Sequence, residues 1–171
     1  MRTGVYGPNV DLMTTTVETS AATKTVRRIN LNRVAPEFYE AMLTLSAAAA
    51  KGLDPALAEL IKIRASQLNH CAFCLDMHTR DARKIGVGEQ KLDVLAAWSE
   101  AGDLFNETER AALALTEAIT ELGHGGVPDD VYEDAAGVFS DRELGQVIAM
   151  AVTINAWNRI NVTVRTPPAG R

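Results

Sequence analysis

"ELIKIRASQLNHCAFCLDMHTRDARKIG", residues 59 to 86, decides how this chain folds. Its opening residues continue a helical pattern that begins at Pro55, "PALAELIKIRASQL", in which Leu57, Leu60, Ile61, Ala65 and Leu68 share one face. Asn69 and His70 break that period. A second helical pattern then runs from about Cys71 to Ile85 and stops at Gly86, a residue suited to the left-handed turn that ends helices. On this second helix Cys71, Cys74, Leu75, His78, Ala82 and Ile85 fall within one arc of about 100°, with Asp76, Arg80 and Arg83 opposite. Both cysteines of the chain and one of its three histidines therefore lie on a single apolar stripe.

Outward from this pair, the pattern stays helical from Pro36 almost to the end. "PEFYEAMLTLSAAAAKG" gives a helix closed by Gly52, and Asp54 with Pro55 supplies the cap and first turn of the next. "GEQKLDVLAAWSEA" reads as a further helix. "NETE" at Asn106 and "SDRE" at Ser140 are capping boxes, and Pro128 opens a short helix between them. The last helix, "LGQVIAMAVTINAWNRI", is apolar nearly all round, which predicts that it is the most buried. The expected fold is an all-α single-domain bundle of six to seven helices over residues 25–165. The polar segment 1–24 is expected to be a disordered arm, and 166–171 a tail.

The 171 residues suffice for one domain with a real core. A net charge of −5, with no basic run or basic-aromatic patch, argues against nucleic acid or an anionic membrane as partner. No stretch has the length of a membrane span. The first dozen residues lack the pattern of a signal peptide, so a reducing cytoplasm is expected. There a cysteine pair is more often catalytic or metal-binding than a structural brace.

The stripe has chemical consequences. Cys71 and Cys74 are i, i+3 neighbours, and Cys74 and His78 are one turn apart. A helix N-terminus favours a thiolate, and a histidine one turn away can take the thiol proton. An i, i+3 pair in a first turn can also close into a reversible disulfide. Two other readings stay open: a zinc site on Cys71, Cys74 and His78, which lacks a fourth ligand, and plain core packing. Glu59 lies off the apolar face of its helix with Ser66, which predicts a solvated carboxylate beside Lys62. Arg64 projects into the apolar arc and so requires a carboxylate or an interface. Phe73 and Met77 form an apolar pair on a polar face, read either as a second packing surface or as a subunit contact. Trp157 is read as core or interface, and His70 and His124 as surface residues.

A glutamate, eleven residues, then C-x-x-C-x-x-x-H is the pattern by which this chain resembles the alkylhydroperoxidase D-like branch of the carboxymuconolactone decarboxylase family. Here the pattern is Glu59, Cys71, Cys74 and His78, and "NAWNRI" is similar to the ending of many members. The resemblance covers about residues 35 to 160. It implies an all-α fold, assembly into hexamers or trimers, and peroxide reduction by the cysteine pair, with no cofactor and no metal. It also implies a relay in which Glu59 orients His78 and His78 deprotonates a thiol. The implied partners are a peroxide and a thiol or dithiol electron donor. Where some peroxidase members place a histidine before the second cysteine, this chain has Phe73. A non-enzymatic oligomeric redox sensor, or a decarboxylase-like enzyme of another substrate, is the alternative.

Overall fold

The computed structural model describes residues 26–169. The arm expected over 1–24 and the last two residues of the tail lie outside the described residues. Eight α-helices follow in order, and among the described residues there is no strand. They are α1 (Leu31–Val34), α2 (Pro36–Ala50), α3 (Pro55–Leu68), α4 (Ala72–Lys84), α5 (Glu89–Val94), α6 (Glu107–Thr120), α7 (Asp129–Val138) and α8 (Asp141–Val164). No helix among them is long and apolar enough to cross a membrane.

The caps fall where their chemistry directs. The Asp54 carboxylate accepts from the Leu57 N–H at 2.9 Å, and Pro55 opens α3. Both capping boxes form, at Asn106–Glu109 and at Ser140–Glu143. Gly52 and Gly86 take the left-handed φ values, +83° and +89°, that end α2 and α4.

The expectation that the last helix is the most buried is not met. The central element is α3, because it is apolar on two sides and packs against α4, α6 and α8. Leu57, Ala58 and Ile61 join a core with Leu115, Phe139 and Val147, whereas Leu60 and Ile63 join a second core with Leu95, Phe105 and Leu113. The helix α8 leaves Val152 and Val162 about half exposed and buries Asn155 and Asn158 instead.

The segment expected as one helix, "GEQKLDVLAAWSEA", is also different. It is helical only to Val94 and tightens into 3₁₀ turns over Leu95–Glu100 and Gly102–Leu104, with Ala97 outside helical geometry. The period of three turns both Leu95 and Trp98 inward. The side chain of Arg110 stacks over the Trp98 ring at 5.3 Å and donates to the Trp98, Ser99 and Gly102 carbonyls around the break, the first of which also accepts from the Ala101 N–H. The short helix α1 has no counterpart in the sequence reading; it is a single turn capped by Asn30. Ile85 leaves the apolar stripe of α4, being 49% exposed at the C-cap where the helical period ends.

Arg64 finds its carboxylate. Its Nε donates to Glu117 Oε1 at 2.6 Å, and the Trp98 Nε1–H donates to the same oxygen at 2.5 Å. One carboxylate on α6 thus satisfies the charge on α3 and the indole of the 3₁₀ turn.

Candidate active site

The site lies on the third side of α3, the polar side. Glu59, Lys62 and Ser66 are spaced i, i+3, i+7 and so share that face. The chain turns at Asn69 and His70, which is exposed and takes a left-handed φ of +54°, and then returns as α4 across this face. The helix α8 covers the rest. Periodicity correctly puts Glu59 off the apolar face, but the solvated surface expected there does not exist. Glu59 is 8% exposed because α4 and α8 close over it.

Its carboxylate is shared between two cations or potential cations. Glu59 Oε1 accepts from the Lys62 ammonium, and Oε2 lies 3.0 Å from His78 Nδ1. Burial pushes the Glu59 carboxyl up, but His78 and Lys62 together outweigh burial and hold it below its ordinary 4.5. An ionised carboxylate on Nδ1 requires a proton there, which leaves His78 Nε2 as the ring's free acceptor.

Both thiols are free and buried, Cys71 at 2% and Cys74 at 1% exposure. Cys71 is the N-cap residue of α4. The Cys74 thiol beside it lowers Cys71 to about 7 against the resistance of burial, helped by the Cys74 backbone N–H and the Asn158 amide. Cys74 is pushed up in turn, first by the Cys71 thiolate and then by burial. The pair thus releases one proton near neutral pH and retains the other.

Cys74 and His78 line one cavity of about 290 Å³ between α2, α4 and α8. Its wall is mostly apolar, with Leu43, Phe73, Met77, Met150 and Ile154 among its residues. Tyr39 and Trp157 pack edge to face there, ring centroids 5.1 Å apart, and Trp157 Nε1 donates to Ser46 Oγ at 2.8 Å. Phe73, Met77 and Trp157 all form part of this cavity wall. His124 is exposed, as expected.

The sequence reading missed Lys62, Asn158 and Asn161. Asn161 Nδ2 lies 3.7 Å from Cys74 Sγ, and the fully buried Asn158 donates to Ser66 Oγ at 2.9 Å. A signal was available: "NAWNRIN" places three asparagines at intervals of three, on one side of a helix whose preceding turns, "VIAMAVTI", are almost wholly apolar.

A helical bundle with a buried C-x-x-C pair, a histidine one turn on and a glutamate on that histidine is a thiol-bearing all-α domain of defined type. The chain belongs to the carboxymuconolactone decarboxylase family, in its alkylhydroperoxidase D-like branch: the family's sequence model matches residues 36–118. The uncharacterized protein YdfG of Bacillus subtilis is 36% identical over 146 residues, which span 85% of this chain and 99% of that one. The crystal structure of a protein of unknown function from Agrobacterium tumefaciens, a candidate AhpD antioxidant-defence protein, is also 36% identical. It superposes with a TM-score of 0.81 over 85% of this chain and 100% of that chain. The alkylhydroperoxidase AhpD core of a peroxidase-related protein from Ralstonia eutropha has a TM-score of 0.70 at 20% identity, over 81% of this chain and 74% of that one, and shares the fold.

Proposed function

We propose that the protein reduces organic hydroperoxides with the Cys71–Cys74 dithiol, Cys74 meeting the peroxide and Cys71 resolving it. The observation that carries this reading is that Cys74 and His78 open on the same apolar cavity while Glu59 occupies His78 Nδ1 at 3.0 Å. His78 Nε2 takes the Cys74 proton, and the thiolate attacks the terminal peroxide oxygen. The O–O bond breaks, the alkoxide leaves with the proton from His78, and Cys74 becomes a sulfenic acid. The Cys71 thiolate then attacks the Cys74 sulfur, the S–O bond breaks, hydroxide leaves and takes a proton from solvent to become water, and an intrachain disulfide remains. A low-pKa thiol at a helix N-terminus suits this second step, since it is ionised when needed. An external thiol or dithiol returns the pair to the reduced state.

The cavity supports an organic peroxide in preference to hydrogen peroxide. Its polar groups are largely engaged: Ser46 and Thr153 donate to the Met42 and Ala149 carbonyls, and Lys62 to Glu59. What remains for a substrate is mostly apolar wall, with the His78 ring edge and the polar ends of Tyr39 and Asn161. Cumene hydroperoxide with dithiothreitol is expected to turn over many times per chain, and faster than hydrogen peroxide. Mass analysis of the oxidised protein is expected to show loss of two hydrogens within one chain. A single equivalent consumed, with no recycling, would instead make the dithiol a sensor.

We also read the chain as self-associating, as a hexamer in preference to a trimer. Exposed Phe38 and Leu45 on α2, with Val152 and Val162 on α8, support a subunit interface. Light scattering at micromolar concentration is expected to give a multiple of the 18.4 kDa chain, and a monomer would end that reading.

A further inference from the structure

Asn158 and Asn161 stand one turn apart on α8, on the side that covers α4. Two asparagines in a largely covered helix need a reason, since an unbonded buried amide is costly and Asn is a poor helix former. Each is oriented by a partner that can only be met one way. Asn161 Nδ2 donates to the Trp157 carbonyl at 3.0 Å. A carbonyl only accepts, so the amide must turn its NH2 group, not its oxygen, to that side. The same nitrogen lies 3.7 Å from Cys74 Sγ, so its second N–H is available to the sulfur. Asn158 is fixed in the same sense, because its oxygen accepts from Asn69 Nδ2 at 3.1 Å and its nitrogen donates to Ser66 Oγ at 2.9 Å. The Ser66 hydroxyl proton is already committed to the Lys62 carbonyl at 2.7 Å, so Ser66 can only accept from Asn158.

We propose that Asn161 is an amide donor site for negative charge on the Cys74 sulfur. An N–H aimed at sulfur favours the thiolate over the thiol, because the thiol's own proton needs an acceptor and finds a donor there. The asparagine amides act in that direction on both thiols, lowering each. The site thereby has two separate supports. His78 accepts the proton, and Asn161 holds the charge left behind. Asn161 also lines the cavity, so the donor sits where the peroxide meets the sulfur. This inference rests on the dithiol reading above, but its test does not depend on peroxide turnover.

The test is the pH profile of iodoacetamide alkylation on the full chain, from pH 5 to 10, with Asn161 native, Asn161→Leu or Asn161→Asp, each in a Cys71→Ser background so that Cys74 is the cysteine read. The Leu variant removes the donor; the Asp variant keeps the shape and puts a carboxylate against the sulfur. Near pH 7 the Leu variant is expected to alkylate about three- to tenfold more slowly, as the loss of one ordinary hydrogen bond would give, the contact to sulfur being long at 3.7 Å. The Asp variant is expected to be slower still, and the gap between the native and Leu profiles should narrow as pH rises and more of Cys74 ionises without help. Asn161 lies only partly buried near the end of α8, so both variants should fold, which a thermal melt checks. Profiles that superpose on the native one overturn the proposal. So does a shift in the Leu variant larger than in the Asp variant, which would mark a packing role. Shifted profiles in a protein inert to hydroperoxides would keep the donor site and end the peroxidase reading alone.

Discussion

Cys74→Ser is expected to lower hydroperoxide turnover by about three orders of magnitude or more, the usual cost of removing a nucleophile. Cys71→Ser is expected to behave differently. It keeps the cavity-facing thiol, so one equivalent of hydroperoxide should be reduced per chain in a first turnover. With no resolving thiol the reaction then stops, and mass analysis should find Cys74 with one added oxygen, and with two in excess peroxide. The asymmetry comes from two separate observations. Cys74 lines the cavity and neighbours His78, whereas Cys71 does not line it and has the lower pKa, about 7. A thiol of that acidity is about half ionised at pH 7, against a few per cent for a free cysteine. That acidity equips Cys71 for attack on a sulfenic acid already formed next to it. A first-turnover burst retained by Cys74→Ser and lost in Cys71→Ser would reverse the two roles.

The sequence carried the fold because the signals were local. Caps at Asp54, Asn106 and Ser140, and the glycine stops at 52 and 86, each act within one turn of chain. The stripe of Cys71, Cys74 and His78 was equally legible, since it needs only the helical period. What escaped depends on which helices meet. Glu59 and Ser66 are polar residues on a polar face, and nothing local says that α4 and α8 cover them. The break after Val94 follows from Leu95 and Trp98 both turning inward and from Arg110 taking the freed carbonyls, twelve residues away in sequence for Trp98. The stripe of Phe73 and Met77 on a polar face was visible, but only α2 crossing opposite decides that it walls a cavity. Burial of α8 was overstated for a related reason. Average hydropathy hides the asparagines that α8 turns towards the thiols, and it hides Val152 and Val162 on the outside.

The second large effect is expected for Glu59→Gln, on stability and reactivity together. In the wild type the carboxylate accepts from Lys62 through one oxygen and meets His78 Nδ1 through the other. Glutamine has one acceptor oxygen and turns an NH2 group towards the other partner, so one of two nearly buried groups loses its acceptor. Leaving such a group uncompensated costs about 2 kcal/mol here, below the range for fully buried pairs because Lys62 and His78 keep 19% and 10% of their side chains exposed. In a domain of this size that loss lowers Tm by about 4–8 °C at pH 7. The sign with pH follows from the carboxyl being held below 4.5. A group whose folded value is depressed stabilises fully above the unfolded value, and that contribution is lost as pH falls through the folded one. The Tm gap between wild type and Glu59→Gln should therefore be constant near neutrality and close below about pH 4.5. Turnover should fall about ten- to a hundredfold, because His78 loses the charge that fixes its tautomer but keeps its place; a positioned base contributes about 10²–10⁴. His78→Ala removes the base outright. It should slow turnover further and slow Cys74 alkylation near pH 7, with convergence on wild type at high pH. Bound zinc would reverse that last result, since losing a ligand would expose the thiols and speed their alkylation. Equal alkylation rates at pH 7 in wild type and His78→Ala would remove the relay, whatever the Tm values showed.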